Sequence, residues 1–340
     1  MIYTTSHGLR TWKGFYLKAV DGSSIYLFKD DAVEATFGYH KNQHQTFSMP
    51  MARIGLELDV LNGYCTQAQI QSCREAEGVF ADVFLSNATS SDLHIYDRCF
   101  ANFSLIFKHL HKKSHFLIRC SLGFNVVVQA FVKSGSKDAV VTFPCTKNAF
   151  NTLIQQGFEL TPKASVSVRL VRLDIGSDEP EILITNLFDQ QLYPHNCFKK
   201  LYNFRWGIES RFDQIKNKLQ LEIFSGHKPQ AIYQDFFATI IVSNLHNLFC
   251  EACDKKVRQI NKKRKTHVKI NHNVSLGLLK PLLGEVLNLT IKLKKVITEI
   301  TQLFLRYLEL KRPGRLFPRV HITRRLKGKH QTFKNYRRAC

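Results

Sequence analysis

The sequence predicts an α/β fold with a mixed sheet, followed by a helical C-terminal region. Three observations carry this. Strand-like and helix-like runs alternate between Phe15 and Cys120, turn-separated strand-like runs dominate 124–187, and helical apolar spacing takes over from Asn196.

In order, Phe15–Phe28 (FYLKAVDGSSIYLF) reads as two strands around a turn at Asp21-Gly22-Ser23, since Asp-Gly is a common turn pair. Arg53–Gln67 alternates as a hairpin turning at Asn62-Gly63. A helix is expected from about Ile70 to Leu85. The short bounded run Leu93–Phe100 reads as a strand, Asn102–Lys112 as a helix and His115–Cys120 as a strand. Within 124–187, strands are expected at Asn125–Lys133, Ala139–Phe143, Ser165–Asp174 and Glu181–Leu187, the last rejoining the main sheet. Three helices follow: Asn196 to about Phe224, Gln230–Gln259, and Ser275–Lys311 interrupted at Pro281. Asn261–Lys269 is basic and loop-like. The last thirty residues, Lys311–Cys340, hold eleven Lys or Arg and no acid, as a DNA-contacting arm or a solvated terminus would.

The 340 residues are 44% hydrophobic, enough for a full core. Lys and Arg total 49 against 27 Asp and Glu, a net charge of +22. Such an excess points to a polyanionic partner, because approaching cations release counterions from phosphates. Met1–Lys18 has no apolar signal core, and no stretch approaches ~18 uninterrupted apolar residues, so neither export nor a membrane partner is expected. The nine cysteines are expected reduced. Cys250 and Cys253, with His246 upstream, lack a second ligand pair at zinc spacing and read as buried helix thiols.

The segment Tyr202–Gly226 is the most specific. On a helical wheel with Tyr202 at zero, Arg205, Glu209 and Lys216 fall at about 300°, 340° and 320°, one narrow stripe. Phe204, Ile208, Phe212, Ile215 and Leu219 form an adjacent apolar stripe, with Trp206 outside both as packing. A carboxylate on such a face is a hard ligand for a divalent cation, and Arg and Lys beside it can grip phosphate.

Tyr202-x2-Arg205-x3-Glu209-x6-Lys216 resembles the YREK signature of the insertion-sequence DDE transposases, the group with hairpin-forming cut-and-paste enzymes. AVDGSSIYL resembles the family's first-aspartate block and selects Asp21; HIYDRCF resembles the second and selects Asp97; ILITNL resembles the strand before the signature helix. The acids lie 76 and 112 residues apart, from 21 to 97 and from 97 to 209. Asp59 and Asp92 compete as ligands, but their positions in a hairpin and at a strand entry suit structural roles. Cys99 and Phe100 replace the family's usual Gly and Tyr, and only twenty residues precede Asp21, where family members generally carry an N-terminal helical domain.

The resemblance, spanning roughly Lys13–Ser243, implies an RNase H-like catalytic domain in two parts, 1–123 and 188–260, a β-rich insertion at 124–187 and a basic helical region at 261–340. It implies Asp21, Asp97 and Glu209 as catalytic metal ligands for two Mg²⁺, with Mn²⁺ as the alternative. Tyr202, Arg205, Lys216, Arg98 and Arg119 would contact phosphates. The implied reaction is end cleavage and strand transfer through a hairpin, by a homodimer on double-stranded DNA, in the bacterial cytoplasm at the nucleoid. A truncated, non-catalytic DNA-binding inhibitor and a nuclease of general specificity remain as rival readings.

Overall fold

The computed structural model describes residues 8–39, 49–174, 179–288 and 293–311. The basic tail expected at Lys311–Cys340 lies outside them, save Lys311. The chain divides into two compact units, Met1–Phe212 and Asp213–Cys340.

The first unit is built on one eight-stranded mixed sheet. In chain order its elements are β1 (Tyr16–Tyr26), α1 (Asp31–Phe37), β2 (Met51–Asp59), β3 (Tyr64–Ser72), α2 (Gly78–Leu85), β4 (Asp92–Tyr96), α3 (Phe103–His111), β5 (His115–Cys120), α4 (Val126–Lys133), β6 (Asp138–Pro144), α5 (Lys147–Gln155), β7 (Ser165–Leu173), β8 (Glu181–Thr185), α6 (Cys197–Asn203) and α7 (Trp206–Asp213). The strand order is β3-β2-β1-β4-β5-β8-β7-β6. Strands β1, β4 and β5 are mutually parallel, and α2 and α3 lie in the connections before β4 and β5, as parallel pairing demands. Every other pairing is antiparallel.

Period-two alternation buries both faces of the sheet. Leu17, Leu93, Ile95 and Leu117 join Phe198, Leu201 and Tyr202 on one face. Val20, Tyr96, Phe116 and Ile118 join Phe80, Phe84 and Ile106 on the other. On this second face sits a buried polar network. Glu57 accepts from Thr66 Oγ1 at 2.5 Å and lies 3.4 Å from Lys18 Nζ and 3.0 Å from His94 Nε2. Tyr96 Oη meets His109 Nε2 at 3.0 Å, and His109 Nδ1 meets Ser114 Oγ at 2.8 Å. Gly55 is required here, since a Cβ would lie 2.3 Å from the Phe80 ring.

Several sequence expectations are corrected. Phe15–Phe28 is one strand, because β2 pairs along it with Asp21 opposite Leu56 and Gly22 opposite Gly55; continuous pairing overrides the Asp-Gly turn preference. Residues 70–72 end β3, and the helix starts only at Gly78. The strand expected at Leu93–Phe100 stops at Tyr96, where Asp97 caps a 3₁₀ turn, Arg98–Phe100. Asn125–Lys133 is the helix α4: Asn125 Oδ1 caps Val128 N at 2.8 Å, and Val128 and Phe131 form its buried side. The other three runs of 124–187 are strands that extend the main sheet. Arg169, fully buried on β7, ties this part together by pairing both carboxylate oxygens of Asp138, donating to Leu187 O at 2.8 Å and packing over Phe198.

The second unit holds a π-helical segment Gln214–Lys218, α8 (Pro229–Lys262), β9 (Val268–Ile270), α9 (His272–Asn288), α10 (Leu293–Arg306) and β10 (Leu308–Leu310). Pro281 lies inside α9 and does not end it. Helix α8 is long and apolar enough to cross a membrane by length and composition. Its buried residues recur every three to four positions and include Asp235, Ser243 and His246, so it packs by one polar-containing stripe. Phe249, Cys253, Leu279, Ile300 and Phe304 form this unit's core.

Candidate active site

Parallel pairing of β1 and β4 places Ala19 opposite Ile95. Asp21 and Asp97 each stand two residues beyond that pair, where β4 has ended, and they are close enough for the charge of Asp97 to act on Asp21. Alternation from Leu17 and Leu93 aims both towards the face covered by α6. Asp21 Oδ1 accepts from Gly22 N at 2.8 Å, and Asp97 Oδ1 accepts from Cys99 N at 2.8 Å.

Asp21 has its pKa raised to about 6, chiefly by burial, and further by the neighbouring charges of Asp97 and Glu77, against the pull of Gly22 N–H and Arg205. Glu77, at the N-terminus of α2, is a carboxylate that sequence reading missed, because the expected helix 70–85 enclosed it. Its side chain runs so close to Gly22 that a Cβ there would lie 3.0 Å from Glu77 Cγ.

The helix expected over 196–224 is broken. Tyr202 lies in the last turn of α6, Arg205 in the intervening turn, and Glu209 on α7. The break still brings these residues together. Arg205 Nη2 donates to Glu209 Oε1 at 2.9 Å, and its guanidinium lies 4.6 Å from the Trp206 ring centre and 6.0 Å from that of Tyr202. Trp206, half-exposed, is thus the platform of Arg205. Arg205 Nε is buried and has no hydrogen-bond partner among the described residues. Tyr202 is buried, which pushes its hydroxyl pKa to about 12, opposed by Arg205 and Arg119.

Arg119, on the same face from β5, pairs with Glu181 Oε1 at 2.9 Å. Arg98 is exposed beside Asp97. Lys216 belongs to the second unit, in the π segment, where burial lowers its pKa. The wheel reckoning for Lys216 assumed regular α-helix throughout; π winding turns less per residue, so the reckoning does not carry through it.

The rival acids are engaged in turns. Asp59 accepts from Leu61 N, Asn62 N and Asn62 Nδ2 at 2.8–3.1 Å. Asp92 Oδ2 accepts from Thr89 N and Oγ1, both at 2.8 Å. Neither substitution in the second aspartate block strains the chain. Cys99 is absent from the positive-φ residues, and Phe100 is buried against Tyr96 at 5.5 Å between ring centres.

Hard oxygen donors close together, one of them with its pKa raised by burial and further by its neighbours' charge, suit a divalent cation that would relieve the repulsion. Residues 12–245 match the model of the transposase DDE domain. The chain belongs to that family. Its members are phosphoryl-transfer enzymes that generally use divalent metals and bind DNA. The chain is similar to transposase InsG for insertion sequence element IS4 of Escherichia coli strain K12, with 20% identity over 240 residues. The match covers 69% of this chain and 52% of that relative, so the chain spans about half the relative's length. The eight-stranded mixed sheet with its helices agrees with an RNase H-like DDE domain.

Proposed function

We propose that the chain cleaves and joins DNA phosphodiesters at transposon ends, in cut-and-paste transposition, with Asp21, Asp97 and Glu209 as carboxylate ligands of Mg²⁺ or Mn²⁺. The observation that carries this is the proximity of the two aspartates, each two residues beyond the parallel Ala19–Ile95 pair, with Arg205, which acts on Asp21 and pairs with Glu209. Bound there, the metal would supply Lewis-acid stabilisation and a water of lowered pKa.

The chain's own residues do the rest. Asp21 and Asp97 concentrate negative charge at the edge and so select a cation. Arg205, stacked on Trp206, orients Glu209 and holds a buried N–H that a phosphate oxygen would satisfy. Tyr202 keeps its proton through the neutral range and donates rather than accepts at phosphate. Arg98 and Arg119 add positive charge on either side, and Lys216 stands as a phosphate contact on the strength of the signature alone. The working form is a homodimer on two double-stranded ends, acting in the cytoplasm at the nucleoid, with a hairpin as the intermediate.

The test is Mg²⁺-dependent cleavage of a labelled duplex carrying the element's own end, comparing the chain with Glu209→Gln. Nicking at the end by the wild type, and binding without cutting by the variant, is the expected result. Binding without cutting by both would overturn catalysis for this chain and leave an inhibitory DNA-binding derivative.

A further inference from the structure

Sequence spacing dismissed His246 and Cys250 as zinc ligands because no further ligand stands nearby in the chain. The fold of the second unit supplies one. His246 and Cys250 lie one turn apart on the buried stripe of α8, and His272 opens α9 directly after β9. One ligand atom from each of the three lies within 4.8 Å of the others. His246 is 1% exposed and Cys250 8%.

We infer that His246, Cys250 and His272 form a zinc-type site that pins α8 to the start of α9, separate in chemistry from the carboxylate edge. The distance from Cys250 Sγ to His246 Nδ1 is within a few tenths of an ångström of a zinc-site edge. Zinc bonds of about 2.05 Å to nitrogen and 2.3 Å to sulfur give a tetrahedral N–S edge of about 3.6 Å. Cys250 Sγ stands 3.5 Å from His246 Nε2 and 3.9 Å from Nδ1. Nε2 is engaged with Ser275 Oγ at 2.7 Å, which leaves Nδ1 as the ligand and makes Nε2–H a donor to Ser275. A ligating histidine usually has its second nitrogen held in this way, which fixes ring and tautomer. The Gln214 amide, 3.3 Å from Nδ1, gives up that contact when metal enters.

His272 is set by its backbone. Asn271 Oδ1 accepts from Asn273 N and Val274 N at 3.1 and 3.2 Å, and Asn271 N donates to Tyr307 O at 3.2 Å. The His246 and His272 rings are 5.4 Å apart at 59°. Two imidazoles and a thiolate favour zinc or cobalt over magnesium. Binding releases the Cys250 thiol proton, one per site, and the three protein ligands leave the fourth position to water. Cys253 stays outside, its Sγ 3.8 Å from Thr301 O.

The test uses the untagged full chain, purified without chelator. About one zinc per chain should survive dialysis, and Co²⁺ added to the stripped chain should give a thiolate-to-cobalt charge-transfer band. Cys250→Ser should abolish the band and His272→Gln should weaken metal retention, whereas Glu209→Gln should leave both unchanged. Ser275→Ala should lower zinc affinity about ten- to hundredfold. The wild-type cobalt spectrum needs no variant to fold. Its lacking the charge-transfer band, with the chain folded by circular dichroism and zinc well below one equivalent, would overturn the site and leave a hydrogen-bonded core histidine. An unchanged affinity in Ser275→Ala would overturn coordination through Nδ1.

Discussion

Two carboxylates on neighbouring strands of the same sheet have been pushed in opposite directions. Asp21 on β1 has a pKa raised to about 6, while Glu57 on β2 has one lowered to about 2. Burial raises both. The difference lies in the company each keeps. Glu57 has His94, Lys18 and Thr66, whose hydrogen bonds and positive charge outweigh its burial. Asp21 has Asp97 and Glu77, which add to its burial, and only Gly22 N–H and Arg205 in opposition. A buried acid compensated from within the fold is a structural element. One left crowded by other acids is completed by something from outside, and here a divalent cation fits.

The largest expected effect separates these roles. Asp21→Asn or Asp97→Asn should reduce end cleavage by on the order of a thousandfold or more, since ligands of one metal act as a unit. Chemical denaturation should show either variant as stable as the wild type or more so, because a repulsion is removed. A comparable loss of cleavage in Glu57→Gln, measured per folded molecule, would break the comparison.

Glu57→Gln should instead cost roughly 3–5 kcal/mol of stability by removing the buried carboxylate charge that faces Lys18 and His94. Because the folded pKa of Glu57 is depressed, its contribution is fully present above the unfolded value of 4.5 and is lost as pH falls towards about 2. Acid unfolding followed by fluorescence should therefore show wild type and variant drawing together as pH falls below 4.5 and meeting only near about pH 2.

Arg205→Ala should lower the cleavage rate about a hundredfold, the loss typical of one preorganised donor. Arg205→Lys should recover little of it, because an ammonium cannot both pair with Glu209 and stack on Trp206. Full recovery with Lys would show that only the charge matters.

The smallest effect concerns Glu77. Protons compete with metal at Asp21, so divalent-ion affinity should fall as pH drops through about 6. Glu77→Gln removes one repelling charge and should move that midpoint down by less than about one unit, read by Mn²⁺ titration at several pH values. An unmoved midpoint would remove Glu77 from the site's electrostatics.

Much of this was legible from local pattern. Short bounded apolar runs marked β4 and β5, the Asn62-Gly63 turn marked the β2–β3 hairpin, and the signature spacing singled out Tyr202, Arg205 and Glu209. Those features rest on interactions within a few residues, which sequence spacing encodes directly. The misreadings came where a remote partner decided. Asp21-Gly22 stays extended because β2 pairs across it, and Asn125–Lys133 is a helix whose buried side, Val128 and Phe131, packs on the core.

The sequence by itself determined which residue types were available for chemistry, and the net charge that suits a polyanion. Only the tertiary structure decided their company. Parallel register put Asp97 beside Asp21, α2 brought Glu77 to them, a broken helix folded Arg205 onto Glu209, and α9 carried His272 to Cys250. The physical reason is that charge interaction and ligand geometry depend on distances of a few ångströms, and those distances are set by strand pairing and packing across long stretches of chain.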